Sequence, residues 1–580
     1  MAGGLLNLVS EGNQNIILNS NPKKTFFKTS FQKYTNFGLQ KFRIDKTGSR
    51  GLALNSESKV KFKIPRYGDL LMDTYIVVTI PDIWSSLYKY SLGDTNYLWV
   101  GHDFKWIKNL GTLMIKEVDI TIGGQTVQKY SGAYLLSKRE RNEKPNKLYD
   151  EMTGNVNELN NPCNSHFNNF NSIDVSNIYH TDIRKKIYGD FKNVSTTRNY
   201  PNAIPIDTKS TNIEPSIRGR KLYIPLGSWF SNDNKMAFPL VALQYSEMEI
   251  NITFRPISEL FVVRDVLDVK NNFPYVKPNF NETTQQIWRF LQQPQATSDT
   301  DWNTVEESYN QSITDWDDDI HLISTYCFLS EDERRVFAVR EHDYLIKDVR
   351  EYKHLNLVGS STLELDSANL VSDLMFYLQR SDINLRNEWS NMTNWSYDGI
   401  PEVQNKMIPE NAICKLAYHN INFEDVSNNL FYTGAYNRNN KEEILQDFAI
   451  ILDGKYREES FDSGIFNYIE KYSRSNSHGK TGLYTYSFGV NTDYEKSYQP
   501  SGAINLAKFS KVELKVNTIE PPIDVSAVTF VPICDDSGNI IGINKPKFSI
   551  YEYNYDLTVF EERYNILKVI SGNAGLYWSR

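Results

Sequence analysis

The chain has 580 residues, 40% of them apolar, and a formal net charge of −8. That length supports roughly two to four domains with substantial cores. The negative charge is spread without a basic tail or stripe, so no direct nucleic-acid partner is expected: phosphate neutralisation needs clustered Lys and Arg.

The 36 Tyr and 30 Phe, without sustained helical periodicity, point to a mainly β protein, because rings fit the half-buried surface of a strand. Cys163, Cys327, Cys414 and Cys534 lie far apart with no CxxC pair, which disfavours a disulfide framework or a zinc site and fits a reducing compartment. The N-terminus has no basic region before its short apolar runs, and Ala2 rather than Gly follows Met1. Neither a signal peptide, a membrane span nor myristoylation is expected, and synthesis in the cytosol is.

Residues 1–24 read as an arm with Leu5, Leu6, Leu8, Val9, Ile16, Ile17 and Leu18, broken at Asn21-Pro22. Such an arm either lies across its own domain or docks on a partner, and partner contact is favoured. Strands begin at Thr25. Val60, Phe62 and Ile64 alternate with lysines, while 73–81 is apolar almost throughout and is expected to be buried on both faces. Val118, Ile120 and Ile122 alternate with Glu117, Asp119 and Thr121 and run into Gly123-Gly124, a strand entering a tight turn.

Residues 137–215, rich in Asn, Lys, Ser and Thr with scattered prolines, read as a long surface loop within a first unit spanning 25–258. A short helix capped by Ser258 is expected over 257–268. Residues 259–319 read as a linker or excursion, closing in the acidic run Asp315–Asp319. A second unit, 320–580, opens with the strand 321–329, followed by one short helix and further strands at 344–352, 370–380, 447–454, 483–490, 511–516, 527–533 and 549–560. About eight strands per unit is the number from which a jelly-roll sandwich is built.

The two halves echo each other. Gly124 and Gly454 end similar strands 330 positions apart, and Ser246–Ile252 matches Ser510–Val516 at an offset of 264. The first half therefore holds 330 − 264 = 66 more residues, and 137–215 is their natural place. The pattern is a tandem duplication with one insertion.

No phosphate loop, HExxH, GxSxG elbow or calcium-loop spacing occurs, and no catalytic, cofactor-binding or metal-binding residues are expected. His342, Asp343 and His354 lie on or near strands, where a hydrogen-bonded structural role is expected. Asp315–Asp319 reads as a solvated acidic loop rather than a cation site, for want of a glycine turn and a distal glutamate. Six Asn-x-Ser/Thr triplets occur. Asn391 and Asn394, expected in an exposed loop, are the leading glycan candidates, followed by Asn281, Asn310 and Asn193; Asn251 is the sixth.

Whole segments, read in order, resemble the major capsid proteins of the nucleocytoplasmic large DNA viruses, the mimivirus-like branch most closely. The residues are Pro22–Asn36, Ile122–Gln125, Ala237–Phe254, Phe328–Ile346, Gln499–Leu514 and Tyr564–Tyr577. Gly123, Gly124, Gly454, Pro500, Ser501 and Gly502 stand at signature turns. Asn505-Leu506-Ala507-Lys508 replaces a more frequent Asn-Phe-Ser-Arg run, and 137–215 and 270–319 match poorly.

The resemblance implies two tandem eight-stranded jelly rolls with long loops and a few short helices. It further implies a homotrimer with a pseudo-hexagonal outline, and capsomers tiling the icosahedral shell of a virion assembled in the host cytoplasm. Minor capsid proteins and an inner membrane layer are the partners expected for residues 1–24. The alternatives are a minor capsid or scaffolding paralogue, and a jelly-roll protein that binds or cleaves carbohydrate through exposed Trp389 and Trp395.

Overall fold

A computed structural model describes residues 3–10, 35–48, 51–160, 215–267, 275–292, 312–398, 441–521 and 531–578, apart from short gaps, together with Gly12 and Asn15. Eight strands build the first unit: β1 (Phe37–Asp45), β2 (Ser58–Lys63), β3 (Leu70–Ile80), β4 (Ile115–Ile122), β5 (Gln125–Tyr130), β6 (Arg220–Pro225), β7 (Met248–Phe254) and β8 (His321–Leu329). Eight build the second: β9 (His342–Leu357), β10 (Ser360–Leu365), β11 (Leu370–Arg380), β12 (Leu445–Leu452), β13 (Lys455–Asp462), β14 (Leu483–Ser487), β15 (Val512–Thr518) and β16 (Tyr555–Ile570).

All of these pair antiparallel. The first unit's sheets run β1-β8-β3-β6 and β2-β7-β4-β5; the second's run β9-β16-β11-β14 and β10-β15-β12-β13. Adding eight to every label of the first unit reproduces the second, so the duplication is one of topology. Even a minor detail repeats: Phe238-Pro239 pairs with the start of β3, and Ile504-Asn505 with the start of β11, so the departure at 505–508 leaves that strand contact intact. Each unit is a jelly roll.

The pattern that makes a strand also chooses its face. In β2, Val60 and Phe62 are buried while the lysines between them face solvent, and β7 and β15 alternate in the same way. The hairpin tips explain the glycines. Gly123 and Gly124 have φ of 59° and 82°, and Asp453 and Gly454 have 47° and 76°, the paired positive angles of a two-residue hairpin turn. Asp453 adopts this conformation because its Oδ1 accepts from the Lys511 amide at 2.8 Å, pinning the turn to the neighbouring chain segment. In the second unit's core, Phe376 from one sheet stacks on Phe448 from the other with ring centroids 4.4 Å apart.

Several boundaries differ from those expected. The strand 321–329 does not open the second unit; it inserts between β1 and β3 and completes the first. Its alternation identifies a strand, but only the need to pair both neighbouring edges selects its partners. The 259–319 stretch is not a linker throughout. Phe261–Arg264 pairs with Phe104–Trp106, and Leu260, Phe261, Ile287 and Phe290 are buried in the first unit's core. The helix expected over 257–268 is a single 3-10 turn, Ile257–Glu259, followed by that strand.

The beginning of the 137–215 segment is also not a surface loop. Helix α1 (Gly132–Asn142) is followed by helices at Lys147–Thr153 and Asn157–Asn160, with Leu136, Arg141 and Leu159 buried; residues 161–214 lie outside the described residues. The described part of the arm packs within its own chain, but on the second unit: Leu6 of the helix Leu5–Val9 joins that unit's core, and Arg457 Nε donates to Asn7 Oδ1 at 2.9 Å.

Truncating Phe376 to Ala removes a ring shared by both sheets of the second unit. The expected loss is about 3–5 kcal/mol of unfolding free energy, read from urea denaturation.

Candidate assembly interface

The contact that decides how the two jelly rolls sit begins at the end of β5. Ser131 caps α1, its Oγ accepting from the Tyr134 amide at 3.2 Å. Gly132 follows because a Cβ there would lie 2.2 Å from the Ile115 carbonyl oxygen and 2.3 Å from that of Thr112. The turn sends α1 toward the outer face of the β9-β16-β11-β14 sheet, where it delivers Tyr134 and Arg141.

At that face Glu562, on β16, is fully buried. Arg141 donates to both its oxygens, at 2.9 and 3.1 Å, Tyr134 Oη donates to Oε1 at 2.9 Å, and Lys347 Nζ donates to Oε2 at 2.7 Å. Lys347 also donates to Asp373 Oδ2 at 2.7 Å and to the Thr492 carbonyl at 3.2 Å, which uses its three protons. Ser372 and Ser487 hydroxyls donate to the two Asp373 oxygens, each at 2.7 Å. Two cations face two carboxylates, and the core charge balances.

The electrostatics follow from that balance. Burial alone would raise the Glu562 carboxyl, but Arg141 and Lys347 outweigh it and hold it well below the usual carboxylate range. Burial would likewise depress the Lys347 ammonium, and Asp373 and Glu562 reverse the sign and hold it above the ordinary lysine value. Apolar packing surrounds the charges. Tyr344, Met375, Tyr377, Phe560 and Val569 of the second unit belong to the same continuous core as the first, and Tyr134 packs edge-on to Phe560 with centroids 5.5 Å apart.

A second tie comes from the segment after β11. Asn387 Nδ2 donates to the carbonyls of Ser258 and Phe261, at 2.9 and 2.8 Å, and Trp389 Nε1 donates to that of Glu259 at 2.9 Å. This corrects the expectation of an exposed loop. Asn391 and Asn394 are buried, and the amide nitrogen a glycan would need is engaged in each: Asn391 Nδ2 with the Trp395 carbonyl at 2.7 Å, and Asn394 Nδ2 with that of Lys441 at 3.1 Å. Tyr553 and Tyr555 donate to Asn394 Oδ1. Asn281 is exposed, whereas Asn193 and Asn310 lie outside the described residues. Trp389 lies under the Arg255 guanidinium, 4.4 Å from the ring centroid, and Trp395 is half-buried, so neither is the exposed platform expected for a sugar.

The acidic run is likewise not simply solvated. Asp318 is buried and accepts from Lys46 and the Leu52 amide, and Asp319 accepts from Arg43 and Lys221. The signature turns stand at separate places. The Ser501 hydroxyl bridges the amide and carbonyl of Asn491, and Gly502, at φ 140°, lies against the Gly489 backbone next to buried Pro500. None of the interface charges was singled out from sequence. The available signal was Glu561-Glu562-Arg563 inside an apolar strand, since three successive charges necessarily put one on each face.

Two eight-stranded sandwiches locked through a shared core define a double jelly-roll building block. The model described as "Major capsid protein N-terminus" matches residues 25–288, and that described as "Large eukaryotic DNA virus major capsid protein" matches 333–575. Among relatives, the major capsid protein of Phaeocystis pouchetii virus is 23% identical over 626 aligned residues, with both chains covered in full. That of Paramecium bursaria Chlorella virus 1 is 23% identical over 582, again with both covered in full. The fold is shared with a quasi-atomic model of the PBCV-1 virus capsid, at a TM-score of 0.55, 16% identity, and coverage of 96% of this chain and 100% of that one. It is also shared with the Faustovirus major capsid protein, at a TM-score of 0.53, 10% identity, and coverage of 94% and 92%. The chain belongs to the major capsid proteins of large eukaryotic DNA viruses. It is a structural component of the virion, not an enzyme.

Replacing Glu562 by Gln leaves Arg141 and Lys347 buried with too little negative charge. The expected loss is on the order of 3–5 kcal/mol in urea unfolding. Because the folded Glu562 pKa lies below its unfolded value, its contribution is present above the usual glutamate range and is lost as the pH falls through the folded value. Wild-type stability should therefore drop on acidification, and E562Q should flatten that dependence.

Proposed function

We propose that three copies close into a capsomer in which the contact inside the chain is repeated between chains. The observation that carries this reading is an unpaired counterpart on each half. By strand register Phe37 and Leu39 of β1 correspond to Leu345 and Lys347 of β9. Lys347 is 4% exposed beneath the first unit and Leu345, also 4% exposed, packs on Leu370, Tyr564 and Ile566 of its own unit, whereas Phe37 and Leu39 are 47% and 54% exposed.

The other half of the contact is also in place. Helix α2, a π-helical turn at Ile465–Ile469 running into Glu470–Arg474, follows β13 as α1 follows β5. Where α1 spends Tyr134 and Arg141 on the second unit, α2 presents Tyr468, Ile469 and Tyr472 to solvent, the last 91% exposed. An α2 face on one copy and a β1 face on the next form a head-to-tail contact, which generates a closed ring when the rotation closes.

Six units from three copies give the pseudo-hexagonal outline that tiles a shell, and permanent interfaces of this kind bury on the order of 2,000 Å² or more. Assembly in the host cytoplasm goes with this reading. A contact of residues 1–24 with minor capsid proteins or an inner membrane layer is supported by Leu5 and Val9, which remain exposed on the docked arm helix.

Wild-type protein should be a trimer by size-exclusion chromatography with light scattering, and the pair I469D/Y472D a folded monomer, as should L39D on the opposite face. A monomeric wild type, or trimers that survive both changes, would overturn the reading.

A further inference from the structure

One buried group is used neither by the lock between the units nor by the ring contact. Lys471 lies on α2 with its side chain buried, Nζ donating to Asn467 Oδ1 at 2.6 Å and to the Lys480 carbonyl at 2.8 Å. Residues four apart share one helix face, so amine and carboxamide are held together by the helix itself. Gly479, at φ 64°, closes over the lysine stem, where a Cβ would lie 2.4 Å from Lys471 Cδ.

On the far side of the carboxamide sits an acid. Asn467, itself buried, donates through Nδ2 to Glu443 Oε1 at 2.7 Å. Glu443 is oriented by Tyr468 Oη, which donates to Oε1 at 3.0 Å, and by Ser463 Oγ, which donates to Oε2 at 2.6 Å. Burial pulls the Lys471 ammonium down to about 7, against the attraction of Glu443 and Glu140. A neutral amine has two N–H donors and one lone pair, and the two acceptors in place satisfy the donors and leave the pair free. A nucleophile, an amide and a proton carrier are therefore collected in one buried site.

We propose that Lys471 and Asn467 join in an intramolecular isopeptide bond, with Glu443 carrying the proton. The Nζ lone pair attacks Asn467 Cγ and the new C–N bond forms. Glu443 takes a proton from Nζ and hands it to Nδ2, and the Cγ–Nδ2 bond breaks as ammonia leaves. Amine plus carboxamide gives secondary amide plus ammonia, with no change of oxidation state. The product staples the π-helical turn to the α-helical turn that follows, directly beneath Tyr468, Ile469 and Tyr472.

Tryptic mapping of the purified full chain with mass spectrometry tests this. The expected product is a peptide running from Glu458 to Arg474, uncleaved after Lys471 and lighter than its sequence by one ammonia. E443Q, checked for native circular dichroism, should lose that peptide and regain cleavage after Lys471, as should N467A. A wild-type peptide of unaltered mass that is cleaved after Lys471 would overturn the bond. So would loss of ammonia from Asn467 with cleavage after Lys471 retained, which is a succinimide. Cross-linking that persists in E443Q would overturn the role of Glu443.

Discussion

Four charges shut away from water between two sandwiches set the geometry of the whole chain. An isolated buried ion is strongly disfavoured, so Glu562, Asp373, Arg141 and Lys347 are tolerable only when all four are present with their hydrogen bonds made. A slide or rotation of one unit against the other would strand at least one of them. Apolar packing of Tyr134 on Phe560 and of Tyr344 near Phe238 belongs to the same interface, but such contacts tolerate small displacements. The charges do not, and so they act as the register mark of the interface.

The two units share strand order and hairpin turns yet differ where they meet. At the position of Lys347 the first unit carries Leu39, and at the position of Asp373 it carries Asp73, which is half-buried and pushed upward by burial, with Lys41 opposing. One sheet face has thus become a permanently covered, charge-locked surface while its twin keeps exposed apolar residues. A jelly roll permits this divergence because the core between its sheets depends on the inward-facing residues alone, and alternation leaves the outward ones free to change.

Helices placed after the fifth strand of each unit extend the same logic. Both start at a Ser-Gly pair, Ser131-Gly132 and Ser463-Gly464, and both come directly after the strand that ends its sheet, β5 or β13. In α1 the buried chemistry reaches outward to the next unit. In α2 it turns inward, to Glu443, Asn467 and Lys471, while the outer surface stays aromatic and open.

Much of this was legible in the residues themselves: strand periodicity, the Gly123-Gly124 and Asp453-Gly454 turns, and the repetition of the second half on the first all follow from local patterns that any chain of this sequence must express. Pairing is not local. Whether His321–Leu329 completes one sandwich or opens the next depends on which sheet edges lie unfilled, and periodicity carries no record of that. Burial of Asn394 likewise depends on Tyr553 and Tyr555, 159 and 161 residues further along the chain, and Asn387 and Trp389 of the same segment plug into carbonyls some 130 residues back. The distinction is physical. Backbone conformation and the choice of strand face are decided within a few residues, whereas desolvation of a charge or an amide depends on everything packed around it, which exists only once distant parts of the chain have met.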